Sequence, residues 1–460
     1  MKDTCFYNKR VTVMGLSESG FSAAKLLKEQ KARVRISELR DAEDVKTKLE
    51  MLGDVEFEIG AHTKRFIEES DLIVVSPGVP SDIDALRGAA DSDIPVIGEL
   101  ELGYMFCAAP IVAITGTNGK STTVSLLHEM FRTNGIKSYL LGNIGRPLCE
   151  DILGITKDSV IALEVSSFQL ETIKRFRPKI AVLLNLTQDH LDRYRDMDEY
   201  RKAKLRIFEN QEDCDYAILN YDDPAIRELS NRIKSKAFYF SINQEVRGSY
   251  VKGERLFIDL GKGPIEICRR KDINLQGIHS LGNVLAAALA LKLVDDKADI
   301  LAAVKNFVGL RHRFEFVAEI AGVRFIDDSK STTVDSTLKA LETLSGNDVI
   351  LIAGGKDKGS DYSLITEQLK KLKYLILIGE ARKKIRDAIS GFDIPIEEVS
   401  TMQEAVAFSR KIAKKGDTVL LSPMCSSFDM FKDYKERGEV FCKAVFDEQH
   451  MANSVKVEKL

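Results

Sequence analysis

Residues 111–121 of this chain read IVAITGTNGKS, an apolar run followed at once by a turn that ends in Gly-Lys-Ser. The apolar run predicts a buried strand, and the turn predicts a loop that opens a helix. Backbone N–H groups of such a loop, the ammonium of Lys120 and the helix N-terminus surround the phosphates of a nucleotide, and the hydroxyl of Ser121 binds Mg²⁺. The general pattern has a glycine where this chain has Ile114. We therefore expect a variant phosphate-binding loop (P-loop).

The composition limits the class of protein. With 460 residues, 44% of them hydrophobic, the chain suits roughly three domains with real cores. Its 67 basic and 70 acidic residues are interspersed and give a net charge of −3, so we expect no nucleic-acid partner and no membrane surface. The seven cysteines form no C-x-x-C pair, and residues 1–10 lack the apolar core of a signal peptide. These features indicate a cytoplasmic enzyme with small-molecule partners.

The first predicted domain covers residues 1–98 and begins with a βαβ unit. A strand leads into the glycine-containing turn 15–20, a helix follows, and a second strand ends at Glu38. A further buried strand at 72–75 ends in a turn that contains Gly78. The pattern predicts a Rossmann-like domain, in which ligands bind beyond the carboxyl ends of the strands.

The turn 15–20 resembles the dinucleotide-binding fingerprint, with Ser17 at the position of the middle glycine and Glu38 near the expected ribose-binding acid. Taken alone, this pattern indicates an NAD-dependent dehydrogenase. The side chain of Ser17 obstructs the close approach of a pyrophosphate, however, and a dehydrogenase has no need for a P-loop in the next domain. We therefore favour a nucleotide-linked substrate for the first domain.

The second predicted domain, residues 99–309, holds the P-loop in a parallel sheet. Two further buried strands end at Glu164 and Asn185, so both deliver polar groups to one sheet edge. Three short strands between residues 250 and 267 alternate with glycine-containing turns and predict a small antiparallel meander. The third predicted domain, residues 310–460, repeats the open-sheet pattern and is expected to be Rossmann-like. The predicted fold class is therefore α/β, with a central P-loop ATPase-like domain between two Rossmann-like domains.

Three side chains near the P-loop are candidates for metal binding or acid–base chemistry. Glu164 ends a buried strand and should face the P-loop as a Mg²⁺ ligand, although a carboxylate there could instead cap a helix. His190 follows the next strand and is either a metal ligand, an acid–base group or a structural histidine. Lys204 lies in a basic helical stretch that composition alone assigns to a solvated face.

Three polar turns follow strands of the third domain and form a candidate second binding surface. One contains Asp328 and Thr332, another Lys358, and the last Ser427 and Phe428. Each turn taken singly is also explained as an ordinary polar turn. Because parallel strands end at one sheet edge, we expect the three turns to bind a ligand together.

Together these segments resemble the Mur ligase family over all three predicted domains. The P-loop and residues 164–171 and 185–192 carry the family pattern, and residues 309–315, 328–330 and 422–431 resemble the branch that uses D-glutamate. The resemblance implies an ATP-dependent amide ligase of peptidoglycan precursor synthesis that adds D-glutamate to UDP-N-acetylmuramoyl-L-alanine. The reaction passes through an acyl phosphate and a tetrahedral intermediate and releases ADP and phosphate. We also expect two Mg²⁺ ions and a monomeric protein.

The resemblance also implies roles for individual residues. Catalysis is assigned to Lys120, Glu164, His190 and Lys204. Metal binding is assigned to Ser121, Glu164, His190 and Lys204, the last as a carbamylated lysine. ATP binding is assigned to Gly116, Thr117, Asn118, Gly119, Lys120, Ser121, Thr122, Asn283, Arg313 and Asp328. The UDP-linked substrate is assigned to Ser19, Glu38, Gly78 and Asn143. D-Glutamate is assigned to Thr332, Lys358, Ser427 and Phe428.

Some positions depart from the family pattern, and two other interpretations stay open. Ser280 stands where the family usually has asparagine beside the adenine site, and Ser17 and Glu38 replace a glycine and the more usual aspartate on the uridine side. A sister ligase would share the P-loop but use another amino acid or extend folate. A nucleotide-dependent switch would bind ATP without forming an amide, but it has no need for the amino-acid turns of the third domain.

Overall fold

The computed structural model describes residues 6–80, 82–189, 193–275, 277–344 and 348–457. The chain divides into two compact units. The first unit comprises Met1–Leu186, Asp196–Asp272 and Gly282–Val304. The second comprises Thr187–Arg195, Ile273–Leu281 and Lys305–Leu460.

The first unit begins with a five-stranded parallel sheet. Its strands are β1 (Arg10–Met14), β2 (Arg33–Glu38), β3 (Glu56–Ile59), β4 (Leu72–Val75) and β5 (Val96–Gly98). The helices of this segment are α1 (Glu18–Glu29), α2 (Glu43–Leu52), α3 (Lys64–Glu68), α4 (Asp84–Asp91) and α5 (Glu99–Phe106). The strand order is β3-β2-β1-β4-β5, so the order reverses between β1 and β4. Such a switch point is where open α/β sheets bind their ligands.

A nine-stranded sheet follows in the same unit. Its strands are β6 (Ile111–Thr115), β7 (Ser138–Gly142), β8 (Val160–Glu164), β9 (Ile180–Leu183), β10 (Tyr216–Asn220), β11 (Lys236–Ser241), β12 (Gly248–Lys252), β13 (Arg255–Asp259) and β14 (Ile265–Arg269). The order is β14-β13-β12-β11-β10-β9-β6-β8-β7. Strands β12, β13 and β14 pair antiparallel, as the predicted meander requires, and the other pairs are parallel.

The helices after β6 have these bounds: α6 (Lys120–Thr133), α7 (Leu148–Asp151), α8 (Ser167–Leu170), α9 (Met197–Leu205), α10 (Pro224–Arg227), α11 (Ile278–Val294) and α12 (Leu301–Asn306). The P-loop helix is α6, and it begins where Gly119 takes a left-handed conformation with φ of 85°. Glycine adopts this conformation without steric cost. The predicted junction of strand, loop and helix is therefore formed.

The second unit contains a six-stranded sheet. Its strands are β15 (Glu315–Ile320), β16 (Val323–Asp327), β17 (Val349–Gly354), β18 (Leu372–Ile378), β19 (Ile396–Glu398) and β20 (Thr418–Leu421). Its helices are α13 (Val334–Thr343), α14 (Arg382–Ala388), α15 (Met402–Ile412) and α16 (Tyr434–Val457). The order is β15-β16-β20-β17-β18-β19, and only β15 pairs antiparallel.

The central strands are apolar along almost their whole length because both of their faces are buried. Every residue of β6, β8 and β17 is buried, as expected for parallel strands that are covered by helices on both sides.

The predicted α/β fold class is confirmed, whereas the predicted domain limits at residues 98 and 309 stay predictions. None of the helices within the described residues is long and apolar enough to cross a bilayer.

Candidate active site

The nine-stranded sheet brings the ends of β6, β8 and β9 together. In the parallel registers, Ile114 lies beside Glu164, and Thr115 lies beside Leu183. The P-loop therefore leaves the sheet between the carboxyl end of β8 and that of β9. His190, which is predicted to join this edge, lies outside the described residues.

Asn185 fixes the backbone of the P-loop. Its carbonyl oxygen accepts the N–H of Thr117 at 3.0 Å, and its side-chain Oδ1 accepts the N–H of Asn118 at 2.7 Å. Its Nδ2 donates to the carbonyl oxygen of Asn118 at 3.0 Å. The sequence placed Asn185 at the end of a strand but indicated no role for it, because its partners Thr117 and Asn118 are 68 and 67 residues away.

The residues predicted to bind ATP phosphates line this loop and the start of α6. The ammonium of Lys120 donates to the carbonyl oxygens of Gly116 at 2.9 Å and Thr117 at 2.8 Å. Ser121, which is buried, and Thr122 follow in the first turn of the helix. Asn283 packs closely on the loop, since a Cβ added to Gly119 would lie 2.4 Å from its Oδ1.

Helix α9 supports the P-loop with two buried side chains. Lys204 Nζ donates to the carbonyl oxygen of Gly116 at 2.8 Å, and the Tyr200 hydroxyl donates to Thr117 Oγ1 at 3.1 Å. Both side chains are about as buried as core residues, with 2% and 1% exposure. The composition of helix α9 alone predicts a solvent-exposed face, and the sequence indicated no role for Tyr200. The only available signal was the spacing of four residues, which puts both on one face of a helix.

The carboxylate of Glu164 fits a cation. Its Oε1 accepts a hydrogen bond from Asn143 Nδ2 at 2.7 Å. Its Oε2 is buried and has no hydrogen-bond partner among the described residues. A buried carboxylate oxygen is costly without a partner, and Mg²⁺ prefers oxygen ligands of this kind. Glu164 does not cap the next helix, because Ser166 is the N-cap of α8.

The residues predicted to bind the UDP-linked substrate lie at or beyond strands of both sheets of the first unit or in helix α1. Ser19 is in the first turn of α1, and exposed Gly78 follows β4. The carboxylate of buried Glu38 accepts the N–H groups of Leu16 at 2.6 Å and Arg40 at 2.9 Å. Burial favours a higher pKa for Glu38, but these hydrogen bonds and the Arg40 charge outweigh it and lower the pKa. This carboxylate therefore holds the turn after β1.

Asn143 lies apart from these three residues in the chain. It is exposed and follows β7 of the nine-stranded sheet. Its side chain contacts Glu164 rather than the turn after β1. Asn143 is therefore joined to a residue assigned to the metal, and its own assignment to the UDP-linked substrate stays a prediction.

Asp328 is a buried residue of the second unit whose carboxylate connects three segments of the chain. Its carboxylate accepts hydrogen bonds from the hydroxyls of Ser331 at 2.5 Å and Ser422 at 3.0 Å, and from the N–H of Phe314 at 3.1 Å. Burial raises the pKa of Asp328 to about 7, and these hydrogen bonds offset only part of that rise. Arg313, which is half-buried, directly precedes Phe314. The two residues assigned to ATP in this unit are therefore neighbours.

Arg437 of α16 joins the turns of the second unit, a role that the sequence did not indicate. Its guanidinium donates to the carbonyl oxygens of Ser329 at 2.8 Å, Cys425 at 3.2 Å and Ser426 at 3.2 Å. The backbone of Lys356 exchanges hydrogen bonds with Ser426. Arg437 is 1% exposed, and burial lowers its pKa to about 10.

The four residues assigned to D-glutamate lie on these turns, but their environments differ. Lys358 lines a cavity of about 440 Å³ together with Thr333 and Asp335, among other residues. Thr332, Ser427 and Phe428 are not among the residues that line it. Ser427 is buried, whereas the ring of Phe428 is 67% exposed. Their joint role in binding stays a prediction.

Models of three protein domains match the chain. The Mur ligase MurD-like N-terminal domain matches residues 9–98, and the Mur ligase middle domain matches residues 114–291. The Mur ligase, glutamate ligase domain matches residues 312–425. These three matches follow one another along the chain without overlap.

Relatives match almost the whole chain. The UDP-N-acetylmuramoylalanine--D-glutamate ligase of Thermoanaerobacter sp. (strain X514) is 44% identical over 445 residues, which are 95% of this chain and 98% of the relative. The protein of the same name from Geotalea daltonii is 43% identical over 442 residues, 95% of this chain and 97% of the relative.

Solved structures support the same fold. The UDP-N-acetylmuramate-alanine ligase MurC from Thermotoga maritima matches with a TM-score of 0.61 at 17% identity, covering 96% of this chain and 100% of that protein. The MurF ligase from the same organism matches with a TM-score of 0.61 at 14% identity, covering 97% and 100%. Identity this low supports the fold alone, whereas the relatives above are at least 43% identical over nearly their full sequences. The chain therefore belongs to the Mur ligase family.

Proposed function

We propose that this protein joins D-glutamate to the L-alanyl carboxyl group of UDP-N-acetylmuramoyl-L-alanine, with conversion of ATP to ADP and phosphate. The observation that carries the proposal is the identity of 42–44% to ligases of that name over nearly the full chain. The reaction is a step in the synthesis of peptidoglycan precursors. The P-loop and the buried Glu164 beside it supply the site that an ATP-dependent ligase needs.

ATP is proposed to bind with its phosphates on residues 116–122. When the phosphates bind, the Lys120 ammonium would exchange the loop carbonyls for phosphate oxygens, which form stronger charge-assisted hydrogen bonds. Asn283 is proposed to contact the nucleotide beside Gly119. Arg313 and Asp328 are also proposed to bind ATP.

Ser121, Glu164, His190 and Lys204 are proposed to hold two Mg²⁺ ions. Bound Mg²⁺ would neutralise charge on the phosphates as it develops. Oε2 of Glu164, for which the described residues provide no hydrogen-bond partner, supports this assignment. Carbamylation of Lys204 would turn its ammonium into a carboxylate-bearing group, yet one N–H would remain for the hydrogen bond to the Gly116 carbonyl oxygen.

The proposed reaction has two steps. The carboxylate of the L-alanyl group attacks the γ-phosphorus of ATP, the bond to the bridging oxygen breaks, and ADP leaves. The amine of D-glutamate then attacks the carbonyl carbon of the acyl phosphate and loses a proton. The tetrahedral intermediate collapses to an amide as phosphate departs with the electrons of the broken C–O bond. The protein mainly positions two anions and balances their charge.

The remaining assignments are also part of the proposal. Ser19, Glu38, Gly78 and Asn143 are proposed to bind the UDP-linked substrate, and Thr332, Lys358, Ser427 and Phe428 to bind D-glutamate. We also propose a cytoplasmic location. It is supported by the thiols of Cys149, Cys214, Cys268, Cys425 and Cys442, which form no disulfide within the described part of the chain. We propose a monomer, which light scattering on the purified protein would test.

The test is phosphate release in the presence of ATP, Mg²⁺ and UDP-N-acetylmuramoyl-L-alanine, with amino acids added singly. We expect release and a matching amide product with D-glutamate. Release with a different amino acid would make the protein a sister ligase, and ATP binding without release would indicate a switch. Lys120→Met should abolish release, whereas Lys137→Met, at an exposed position before β7, should leave it unchanged.

A further inference from the structure

Asn143 contacts Glu164 through both its backbone and its side chain. Its backbone N–H donates to the carbonyl oxygen of Glu164 at 2.9 Å, and its Nδ2 donates to Glu164 Oε1 at 2.7 Å. The preceding Gly142 has φ of 104°, and a Cβ there would lie 2.2 Å from the Glu164 carbonyl oxygen. Only glycine permits this approach. One residue therefore fixes both the backbone and the carboxylate of Glu164.

The two ends of this contact face different environments. Glu164 is 2% exposed, and its Oε2 has no hydrogen-bond partner within the described part of the chain. Asn143 is exposed. An asparagine amide has two N–H donors and one acceptor oxygen, and the contact with Oε1 uses a single donor. The rest of the amide is therefore able to bind a second polar group on its outer side.

We propose that Asn143 is a positioning residue that orients Glu164 for Mg²⁺ and couples the metal site to the UDP-linked substrate. The inference rests on the proposed function, from which it takes the substrate at Asn143 and the metal at Glu164. The hydrogen bond to Oε1 fixes the Glu164 side chain in one orientation before the cation binds, with Oε2 available to it. Binding the cation therefore costs no further side-chain conformational entropy at Glu164. A substrate that orders the Asn143 amide then strengthens metal binding, and by linkage the metal strengthens substrate binding equally.

The first test measures metal binding without turnover. Mn²⁺ stands in for Mg²⁺ because both bind oxygen ligands, and free Mn²⁺ is counted by electron paramagnetic resonance. The full-length protein is titrated with MnCl₂ in the presence of ADP and without the UDP-linked substrate. We expect Asn143→Ala to weaken Mn²⁺ binding about fivefold or more. The matched control is Arg146→Ala in the same loop, whose side chain pairs with Asp151, and it should bind Mn²⁺ like the unaltered protein.

The second test measures the coupling. Saturating UDP-N-acetylmuramoyl-L-alanine should tighten Mn²⁺ binding several-fold in the unaltered protein and less than twofold in Asn143→Ala. Asn143→Leu keeps the approximate size of the side chain without its donor, so it serves if the alanine variant does not fold. Folding is checked by circular dichroism and ADP binding.

The outcomes separate the possible roles. If a folded variant binds Mn²⁺ as the unaltered protein does when no UDP-linked substrate is present, Asn143 contacts only that substrate and the inference is wrong. If D-glutamate-dependent phosphate release is missing in the unaltered protein, the proposed function is wrong. The substrate-free Mn²⁺ titration would still report whether Asn143 positions Glu164.

Discussion

Lys204 is a residue whose environment in the structure differs from the one that the local composition predicts. Its side chain is buried against the P-loop, with Nζ 4.9 Å from the centre of the Tyr200 ring, although the helical stretch around it contains Arg201, Lys202 and Arg206. A carbamylated lysine at this position would bring a carboxylate-like metal ligand to the site.

We predict that Lys204→Ala lowers turnover by roughly a hundredfold or more, because loss of a residue that only orients a metal ligand already costs about 10- to 100-fold. A short carboxylic acid such as acetate or propionate should restore part of the activity, because it can replace the missing carboxylate. The control is Lys202→Ala on the exposed side of the same helix. Phosphate release in both variants, with and without the acid, measures the effect, and normal turnover of Lys204→Ala would refute the carbamate.

Glu99 at the start of α5 is a second informative residue. It is 1% exposed, its Oε1 accepts the N–H of Cys149 at 2.7 Å, and its Oε2 has no partner within the described residues. Burial raises its pKa to about 7, and the hydrogen bonds from residues 148 and 149 offset only part of that rise.

The raised pKa of Glu99 predicts the sign of a pH effect. An unfolded glutamate titrates near pH 4.3, so between about pH 4 and pH 7 the folded protein holds one more proton than the unfolded chain. The free energy of unfolding should therefore fall as pH rises through this window, by up to roughly 4 kcal/mol. The free energy of unfolding of Glu99→Gln should not fall in this way, because glutamine does not ionise. The stability of Glu99→Gln relative to the unaltered protein should therefore increase between pH 5 and pH 8.

Urea unfolding of the two proteins at several pH values measures this difference. Asp328, whose pKa is also raised to about 7, is present in both proteins, so its contribution cancels in the comparison. A stability difference that is the same at pH 5 and pH 8 would contradict the prediction.

At the scale of elements, the second unit depends on turns that α16 holds in place. Arg437 donates hydrogen bonds to backbone carbonyl oxygens of two of these turns. The backbone hydrogen bonds between Lys356 and Ser426 connect a third turn to them. No ion pair of Arg437 is formed among the described residues. The guanidinium therefore acts as a planar set of donors and not as one half of a salt bridge.

We predict that Arg437→Lys destabilises the protein by about 2 to 3 kcal/mol, because one ammonium cannot reach all of these carbonyls and leaves some buried without a donor. The KM for D-glutamate should rise, and the KM for the UDP-linked substrate should stay unchanged. Arg410→Lys in the same unit is the control, since its guanidinium makes one long hydrogen bond, at 3.4 Å, to the Val445 carbonyl oxygen. Urea unfolding and substrate titrations provide the measurements, and an equal rise of both KM values would argue against a local effect.

At the scale of the whole molecule, apolar burial stabilises the protein, and the proposed Mg²⁺ ions have their role in the reaction and not in folding. Each unit has its own sheet core, and Asn143 holds the Glu164 carboxylate with a hydrogen bond at 2.7 Å. We predict that EDTA abolishes phosphate release and shifts the melting temperature by no more than about 2 °C, since a weakly bound ion adds little to folding. Excess Mg²⁺ should restore activity. A large drop in melting temperature with EDTA, seen by calorimetry, would instead make the metal structural.

The sequence by itself determined the α/β class, the P-loop and the residues of its first helical turn, because these features depend on neighbours along the chain. An apolar run, a turn rich in glycine and a lysine at the helix start need no distant partner. The position of Glu164 was also predictable, since a polar residue at the end of a buried strand must face the edge of the sheet.

Only the tertiary structure decided the contacts that hold these residues in place. Arg437 meets Ser329 across 108 positions of sequence, and Lys204 meets Gly116 across 88. Nothing in the local composition distinguishes such buried donors from solvated ones, because a side chain's environment depends on which elements pack around it. Burial and hydrogen-bond partners are therefore properties of the folded chain, and they explain why Asn185, Tyr200 and Arg437 were missed.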